Sequence, residues 1–306
     1  MKTAFLFPGQ GAQVVAMGKD VADAVPQAAA VFAKANQILG FDITAMCFEG
    51  PAEELNTTAM SQPAIFVTSV ALLETLKTKS DLTPDVTAGL SLGEYTALYA
   101  AGAIGFEDAL KLVAKRGQAM QVAAETTEGG MVSIMSMEPD QVQAVCDQAS
   151  QGLPLQPANF NCPGQIVISG AKEACDRAET LAMDMGAAKA IRLQVAGAFH
   201  TELMSSAAQI LDQALESCEL NDPSPVRVLA NTTADYYPDT NAIRPSLVKQ
   251  LTSAILWQSC MEKLLADGVD TFYEIGPGRV LTGLMRRINR KTRVNNISSL
   301  KTLEDL

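Results

Sequence analysis

The sequence contains one serine whose neighbours are typical of a nucleophile. Ser91 is the centre of residues 89–93, which read Gly-Leu-Ser-Leu-Gly and match the G-x-S-x-G pattern. In this pattern a sharp turn between a strand and a helix exposes the serine, and the flanking glycines tolerate close neighbours because they lack a Cβ atom. The N–H groups at the start of such a helix suit the oxyanion of an acyl-transfer intermediate. The alternative is a helix N-cap serine after a glycine turn.

A serine hydroxyl needs a base at neutral pH, and the chain has a single histidine, His200. One imidazole is too few for a His-rich zinc site, a two-histidine iron site or a histidine relay. The six cysteines include no C-x-x-C pair, so we expect no metal site. A lone histidine is often structural, but the serine motif upstream favours His200 as the general base. The sequence does not select an acidic residue to orient the imidazole, and a backbone carbonyl would serve as well.

The composition excludes several classes of function. Hydrophobic residues make up 48% and charged residues 19% of the 306 residues, as in an ordinary globular protein. The formal net charge of −11 argues against general binding to nucleic acid or to an anionic membrane. The apolar N-terminal stretch is too short for a signal peptide, and no run reaches the roughly 18 apolar residues of a membrane span. With cysteines that read as free thiols, these features predict a cytoplasmic protein, or one of a plastid-like stroma after removal of a transit peptide.

Strands and helices must alternate to position the serine and the histidine. Residues 3–7 are predicted to form a strand that ends at a Pro-Gly turn, and residues 14–32 a helix. A short strand over 86–88 then precedes the helix that begins at Ser91. This order predicts an α/β fold with an α/β-hydrolase-like core domain.

From residue 129 the predicted order changes to strand, helix, strand, strand, helix and strand, and the last of these strands extends over 188–195. The βαββαβ order is that of the ferredoxin-like split unit. We therefore predict a ferredoxin-like subdomain over residues 129–195, inserted into an α/β-hydrolase-like core of residues 1–128 and 196–306.

The chain resembles the malonyl-CoA:acyl carrier protein transacylase family almost end to end. The resemblance rests on Phe-Pro-Gly-Gln-Gly-Ala-Gln at 7–13, Gln-Pro-Ala at 62–64, Gly-Leu-Ser-Leu-Gly-Glu at 89–94, Lys-Arg-Gly at 115–117, Asn-x-Pro-Gly-Gln at 161–165, Gly-Ala-Phe-His at 197–200, Gln-Leu-Thr-Ser at 250–253 and Glu-Ile-Gly-Pro-Gly at 274–278. Their joint occurrence in this order is specific for the family. The resemblance implies that Ser91 takes a malonyl group from malonyl-CoA, with no cofactor. It then passes the group to the phosphopantetheine thiol of acyl carrier protein, in a ping-pong exchange that supplies fatty acid synthesis.

The resemblance assigns roles to residues around the serine. The backbone N–H groups of Gln10 and Leu92 would form the oxyanion hole, because two donors that converge on one oxygen stabilise the tetrahedral intermediate. Arg116 would bind the malonyl carboxylate through two parallel hydrogen bonds from its planar guanidinium. Spacing alone does not select Arg116 over Lys111 or Lys115.

Further residues are implied to lie at the malonyl pocket. Phe199 would crowd an α-methyl group, Asn161 would line the pocket, and Gln250 would line it while its backbone carbonyl orients the histidine. Two positions depart from the pattern of many members. Leu90 stands where many have histidine, and Leu256 stands where many have an arginine that could contact the carrier or its pantetheine arm.

Five cations lie within eight residues of this otherwise acidic chain: Arg286, Arg287, Arg290, Lys291 and Arg293. Such a run is often only a solvated helix face. An acidic acyl carrier protein as partner favours docking near Arg286, Arg287 and Arg290, because electrostatic steering needs only a local positive field. We expect the protein itself to be a monomer.

Three other functions share some of these features. A discrete, trans-acting acyltransferase of a polyketide synthase would use the same chemistry with another carrier. A serine esterase or thioesterase would share Ser91 and His200 but would not need an arginine for a carboxylate. A carrier-binding module that has lost catalysis would not be acylated, and the presence of both Ser91 and His200 argues against it.

Overall fold

The computed structural model describes residues 2–306, which form two β-sheets and the helices around them. Within this range the strands are β1 (Thr3–Phe7), β2 (Val86–Gly89), β3 (Gly129–Met135), β4 (Leu155–Cys162), β5 (Gln165–Ala171), β6 (Lys189–Arg192), β7 (Arg227–Ala230), β8 (Asp235–Tyr236), β9 (Thr271–Ile275) and β10 (Val294–Ile297). The α-helices are α1 (Lys19–Ala24), α2 (Pro26–Leu39), α3 (Ile43–Glu49), α4 (Ala52–Leu55), α5 (Thr58–Lys79), α6 (Gly93–Ala100), α7 (Phe106–Thr126), α8 (Pro139–Ser150), α9 (Lys172–Asp184), α10 (Ser205–Leu215), α11 (Ile243–Gln250), α12 (Trp257–Ala266), α13 (Val280–Ile288) and α14 (Leu300–Glu304).

The larger sheet has the strand order β10-β9-β1-β2-β7-β8. Neighbouring strands are parallel except for β8, which is antiparallel to β7. All residues of β1 and β2 are buried, as expected for parallel strands with both faces covered. Phe7 of β1 is aligned with Gly89 of β2, so the turns after these two strands leave the sheet side by side. Ligands of open parallel sheets bind at this carboxyl edge.

Each face of the larger sheet has its own hydrophobic core. Alternate side chains of β1 point to opposite faces, so Phe5 and Phe7 belong to the first core and Ala4 and Leu6 to the second. Trp257, the only tryptophan of the chain, is fully buried in the second core.

Helix α5 lies in the first core. It is long and apolar enough to cross a membrane by length and composition alone, but 83% of its most apolar 18-residue window is buried inside the protein. A helix that is apolar on every side is typical of a protein core. Helices α2 and α7 pack against it, and α7 carries Arg116.

The smaller sheet is antiparallel and has the strand order β4-β5-β3-β6. Helices α8 and α9 pack against it, and it has a third core of its own, formed by residues between Val132 and Ala187. Along the chain its elements follow the predicted βαββαβ order, with the first strand between the third and the fourth, as in ferredoxin-like folds. The α/β fold class with a ferredoxin-like unit is confirmed, while the limits at 129 and 195 stay a prediction.

Residues 14–32 do not form the single helix that the sequence predicted. Helix α1 ends at Ala24, Val25 is extended with φ −126° and ψ 113°, and α2 begins at Pro26. Proline disfavours the helical conformation of the residue before it, so the alanine-rich stretch is divided into two helices.

The last strand of the smaller sheet is shorter than predicted. It pairs with β3 as far as Arg192, whereas the prediction extended it to residue 195. The backbone N–H of Leu193 still donates to the carbonyl oxygen of Met131 at 2.9 Å. The chain then leaves the sheet, and residues 193–195 border the cavity at the candidate site. The apolar side chains of Leu193 and Val195 are typical of a strand in the sequence because a cavity wall and a buried strand both select apolar residues.

Candidate active site

Ser91 lies in the turn between β2 and α6, at the carboxyl edge of the larger sheet. Its backbone is left-handed, with φ of 52°, a strained conformation for a residue with a side chain. Close packing requires the flanking glycines: a Cβ atom on Gly89 would lie 1.9 Å from the carbonyl carbon of Gly93, and one on Gly93 would lie 2.1 Å from the carbonyl oxygen of Phe7. The glycines therefore let β1, β2 and α6 approach closely enough to form the turn.

His200 lies within hydrogen-bond distance of the serine. Its Nε2 atom is 3.0 Å from Ser91 Oγ, and its Nδ1 atom is 2.7 Å from the backbone carbonyl oxygen of Gln250. Because a carbonyl oxygen only accepts, we assign the proton to Nδ1, which leaves Nε2 free to accept the serine proton. Burial, together with the positive charge of Arg116, lowers the pKa of His200 to about 4. The imidazole is therefore neutral at pH 7, the form that a general base requires.

The smaller sheet anchors the segment that carries His200. This residue is also left-handed, with φ of 61°. The side-chain amide of Gln156, on β4, donates to its backbone carbonyl oxygen at 3.0 Å. Sequence reasoning missed Gln156, because no motif or local spacing relates it to a residue 44 positions away.

Arg116 contacts the serine although it is only 1% exposed. Its Nη2 atom donates to Ser91 Oγ at 2.9 Å and to the side-chain oxygen of Gln250 at 3.0 Å, and Nη1 donates to the side-chain oxygen of Gln62 at 2.6 Å. Within residues 2–306 its guanidinium makes no ion pair and its Nε atom has no hydrogen-bond partner. Burial lowers its pKa. The charge of Glu94 acts on it without direct contact, so an anionic group of a ligand would supply the direct ion pair that this buried cation lacks.

The two other cations of this helix do not reach the serine. Lys111 pairs with Glu107 at 2.7 Å, and both side chains are more than half exposed. Lys115 is exposed. The tertiary fold thus distinguishes Arg116 from neighbours that the sequence spacing left equivalent.

A cavity of about 360 Å³ borders the serine. The predicted site residues that line it are Gln10, Ser91, Leu92, Arg116, Asn161, Phe199 and His200. The backbone N–H groups of Gln10 and Leu92 have no hydrogen-bond partner in the described part of the chain, so both are available to a ligand oxygen. Gln250 is fully buried and does not border the cavity. Its predicted place in the pocket lining is therefore corrected to one behind His200 and Arg116.

Asn231, which the sequence reasoning missed, holds the serine turn from β7. Its side-chain oxygen accepts from the backbone N–H of Ser91 at 2.7 Å, and its amide nitrogen donates to the carbonyl oxygen of Gly89 at 2.8 Å. The available signal was its position directly after a buried strand, at the edge where the turns after parallel strands meet.

The cationic residues 286–293 lie on and after α13. Arg286 and Arg290 border a surface concavity of about 320 Å³ together with Arg279, Lys291 and Arg293. Arg287 instead donates to the side chain of Gln165 at 2.7 Å and to the carbonyl oxygen of Pro163 at 3.1 Å, which ties α13 to the hairpin of β4 and β5. Val280 and Leu284 of the same helix border the cavity at Ser91. The cations and the candidate active site are therefore joined by one helix.

The cysteines and the acidic side chains form no metal site or disulfide bond in residues 2–306. All six cysteines are free thiols, and five of them are buried. No group of three or more His, Cys, Asp or Glu side chains in this range is arranged to hold a metal ion.

Comparison with known proteins extends over the whole chain. The family model of the acyl transferase domain matches residues 4–304. The malonyl CoA-acyl carrier protein transacylase of Bacillus subtilis (strain 168) is 45% identical over 304 residues, 99% of this chain and 95% of the relative. The solved malonyl CoA-acyl carrier protein transacylase from Coxiella burnetii has a TM-score of 0.97 at 36% identity, covering 100% of this chain and 96% of that chain. A chain from a solved complex of a type II PKS acyl-carrier protein with its malonyl-transacylase has a TM-score of 0.96 at 39% identity, covering 99% of this chain and 98% of that chain.

Proposed function

The chain belongs to the malonyl CoA-acyl carrier protein transacylases within the acyl transferase family, and from this membership we propose the reaction that its site performs. It is an acyltransferase that moves a malonyl group from malonyl-CoA to the phosphopantetheine thiol of acyl carrier protein and so supplies fatty acid synthesis. The contact between Arg116 and Ser91, at 2.9 Å, is the observation that carries this proposal. A buried cation beside the nucleophile suits an acyl group that ends in a carboxylate.

The first half-reaction acylates Ser91. His200 Nε2 takes the proton of the serine hydroxyl as Oγ attacks the thioester carbonyl of malonyl-CoA. The N–H groups of Gln10 and Leu92 donate to the oxyanion, and Arg116 turns from Ser91 Oγ to the malonyl carboxylate. The tetrahedral intermediate collapses to malonyl-serine as the coenzyme A thiolate leaves and receives the proton from His200.

The second half-reaction repeats these steps with a different thiol. The phosphopantetheine thiol of the carrier gives its proton to His200 Nε2 and attacks the ester carbonyl of malonyl-serine. The same two N–H groups stabilise the second oxyanion. Ser91 then leaves and regains its proton from His200. Because both thiols use one cavity and one base, coenzyme A must leave before the arm of the carrier enters, which is ping-pong order.

Intact-protein mass spectrometry tests this function directly. With malonyl-CoA alone, we expect the wild-type protein to gain one malonyl group that persists until carrier protein with its phosphopantetheine arm is added. The Ser91→Ala variant should gain none. Rapid release of free malonate would indicate an esterase or thioesterase instead. A wild-type protein that is never acylated would indicate a carrier-binding module without catalysis.

A polyketide carrier is the second candidate acceptor, because one similar chain was solved with a type II PKS acyl-carrier protein. The chemistry at Ser91 would be unchanged, so the two functions differ only in the carrier. Transfer rates to purified carriers of both kinds, at equal concentration, distinguish them. Faster transfer to the polyketide carrier would contradict the role in fatty acid synthesis.

We propose that the carrier docks near Arg286, Arg287 and Arg290. The support is their exposure at the end of a helix that also borders the catalytic cavity. An acidic carrier would be attracted by this local field although the chain carries a net charge of −11.

Charge reversal at this surface tests the docking proposal. Arg287 also ties α13 to the hairpin of β4 and β5, so Arg286→Glu with Arg290→Glu is the cleaner pair. We expect the KM for the carrier to rise roughly 3- to 30-fold, with the KM for malonyl-CoA unchanged. Lys79→Glu with Lys115→Glu, two exposed lysines on other helices, is the control with the same charge change. An equal rise in both double variants would show an effect of net charge only and would refute the site.

We further propose that the enzyme needs no cofactor, acts as a monomer and works in the cytoplasm, or in a plastid-like stroma. Ser91, His200, Arg116 and two backbone donors supply every group that the proposed chemistry uses. The free cysteines fit a reducing compartment. Few large apolar side chains are exposed in residues 2–306, as is normal for a monomer. Sedimentation and subcellular fractionation test these points, and a stable dimer or a secreted protein would contradict them.

A further inference from the structure

Glu94, the second residue of α6, is a carboxylate with only 1% exposure. Three donors from separate segments satisfy it. The hydroxyl of Tyr237 donates to Oε1, while the side-chain amide of Gln250 at 2.7 Å and the backbone N–H of Asn231 at 3.1 Å donate to Oε2. Burial raises the pKa of Glu94 to about 7, and these hydrogen bonds and the charge of Arg116 oppose the rise. No step of the transfer proposed above uses this carboxylate.

Two of the three donors hold the reacting residues. The backbone carbonyl oxygen of Gln250 accepts from His200 Nδ1 at 2.7 Å, and its side-chain amide also donates to the carbonyl oxygen of Ser91 at 3.1 Å. The side chain of Asn231 holds the N–H of Ser91. Glu94 therefore connects the residue that orients the base with the residue that holds the serine turn.

Glu94 also determines which way the side-chain amide of Gln250 faces. Its nitrogen donates to Glu94 at 2.7 Å, and its oxygen accepts from Arg116 at 3.0 Å. A carboxylate only accepts and a guanidinium only donates, so the reversed amide would face both groups wrongly. The amide of Gln250 thus links the buried carboxylate of Glu94 to the buried guanidinium of Arg116. Loss of either partner would allow the side chain of Gln250 to move.

We propose that Glu94 is a positioning residue for the acyl transfer: through Gln250 it keeps His200 in the tautomer and orientation that accept the serine proton, and through Asn231 it keeps the serine turn in place. This inference rests on the proposed function, in which His200 is the base. All three donors to Glu94 are neutral groups. The role therefore depends more on the position of the acceptor oxygens, which the length of the side chain sets, than on the negative charge of the carboxylate.

Two conservative variants of Glu94 separate the effect of side-chain length from the effect of its negative charge. Glu94→Gln keeps the length and one acceptor oxygen but removes the charge, and the hydroxyl of Tyr237 can accept from the new amide. Glu94→Asp keeps the charge but withdraws the oxygens by one methylene. Positioning predicts a kcat within roughly threefold of wild type for Glu94→Gln and a kcat lowered roughly 10- to 100-fold for Glu94→Asp. A purely electrostatic role predicts the opposite order.

The single histidine provides a readout that does not depend on turnover. In protein with ¹⁵N-labelled histidine, the ring nitrogen signals of His200 report its tautomer without overlap. We expect the Nδ1–H tautomer in wild type and Glu94→Gln, and a mixture of tautomers in Glu94→Asp. Thr75→Val is the control for lost stability, because it removes a buried hydroxyl that bonds only within α5, to Ala71 at 2.8 Å. Its spectrum and kcat should match wild type.

Either of two results would overturn the inference. One is Glu94→Asp with the wild-type spectrum and kcat, and the other is Glu94→Gln as impaired as Glu94→Asp. Failure of the proposed function would look different. The wild-type protein would then form no malonyl-serine, but the His200 signals would still change in Glu94→Asp and stay unchanged in Glu94→Gln.

Discussion

Replacement of His200 by alanine is expected to abolish malonyl transfer almost completely. The chain has no second histidine, and the other group that contacts Ser91 Oγ, the guanidinium of Arg116, donates and cannot accept a proton. We expect kcat to fall roughly 10⁴-fold or more, and Ser91→Ala to cost a similar factor, because nucleophile and base act as one unit. For the same reason the double variant should be no slower than either single variant.

The measurement is steady-state transfer to the carrier, with circular dichroism to establish that each variant is folded. Thr75→Val, measured in parallel, should keep its activity. A folded His200→Ala enzyme that retains about a tenth of the wild-type kcat would show that a group other than this imidazole takes the serine proton.

Replacement of Arg116 by alanine is expected to remove the preference for malonyl over acetyl groups. The carboxylate of malonyl would lose its only buried cationic partner at the serine, and truncation of one partner of a buried charge pair costs about 2–5 kcal/mol. At 1.36 kcal/mol per decade, that is about a 30- to 5,000-fold loss in kcat/KM for malonyl-CoA. Transfer from acetyl-CoA, which has no carboxylate, should fall much less, because it loses only the hydrogen bond by which Arg116 holds Gln250.

Competing transfers from malonyl-, methylmalonyl- and acetyl-CoA measure this preference. Arg116→Lys keeps the charge but not the planar pair of donors, so it should recover only part of the loss. Lys115→Ala is the matched control, one residue away on the exposed side of α7, and should behave as wild type. Full preference for malonyl in Arg116→Ala would refute the assignment of this residue to the carboxylate.

The parts of the site that depend on neighbours in sequence could be predicted. The turn at Ser91 follows from two glycines, whose places no larger residue can take, and from the change of pattern between β2 and α6. The βαββαβ order was predictable for the same reason, since it depends on local hydrophobic periodicity. Pro26 shows the limit of periodicity: the alanine-rich pattern continued through residue 25, but the proline ring ended the helix.

The supporting contacts of the site depend on the tertiary fold. Asn231 is 140 residues from Ser91 in the sequence, and Gln156 is 44 residues from His200. The position of Asn231 directly after a buried strand is the one local signal, and Gln156 has none. Their partners are backbone groups brought near by the parallel sheet and by the smaller sheet. Gln250 was predicted at the site from its motif, but only the packed structure places its side chain behind the cavity, between Arg116 and Glu94.

The separate cores of the two sheets make the single tryptophan a selective probe of unfolding. Trp257 lies in the second core, and the core of the smaller sheet contains no tryptophan. Because α12 also packs against β4, the fluorescence of Trp257 follows the second core and the contact of that core with the smaller sheet. Far-ultraviolet circular dichroism instead follows the helices and strands of both units. Coincident curves would mean that the ferredoxin-like unit unfolds together with the rest as one cooperative block, and displaced curves would give its own midpoint.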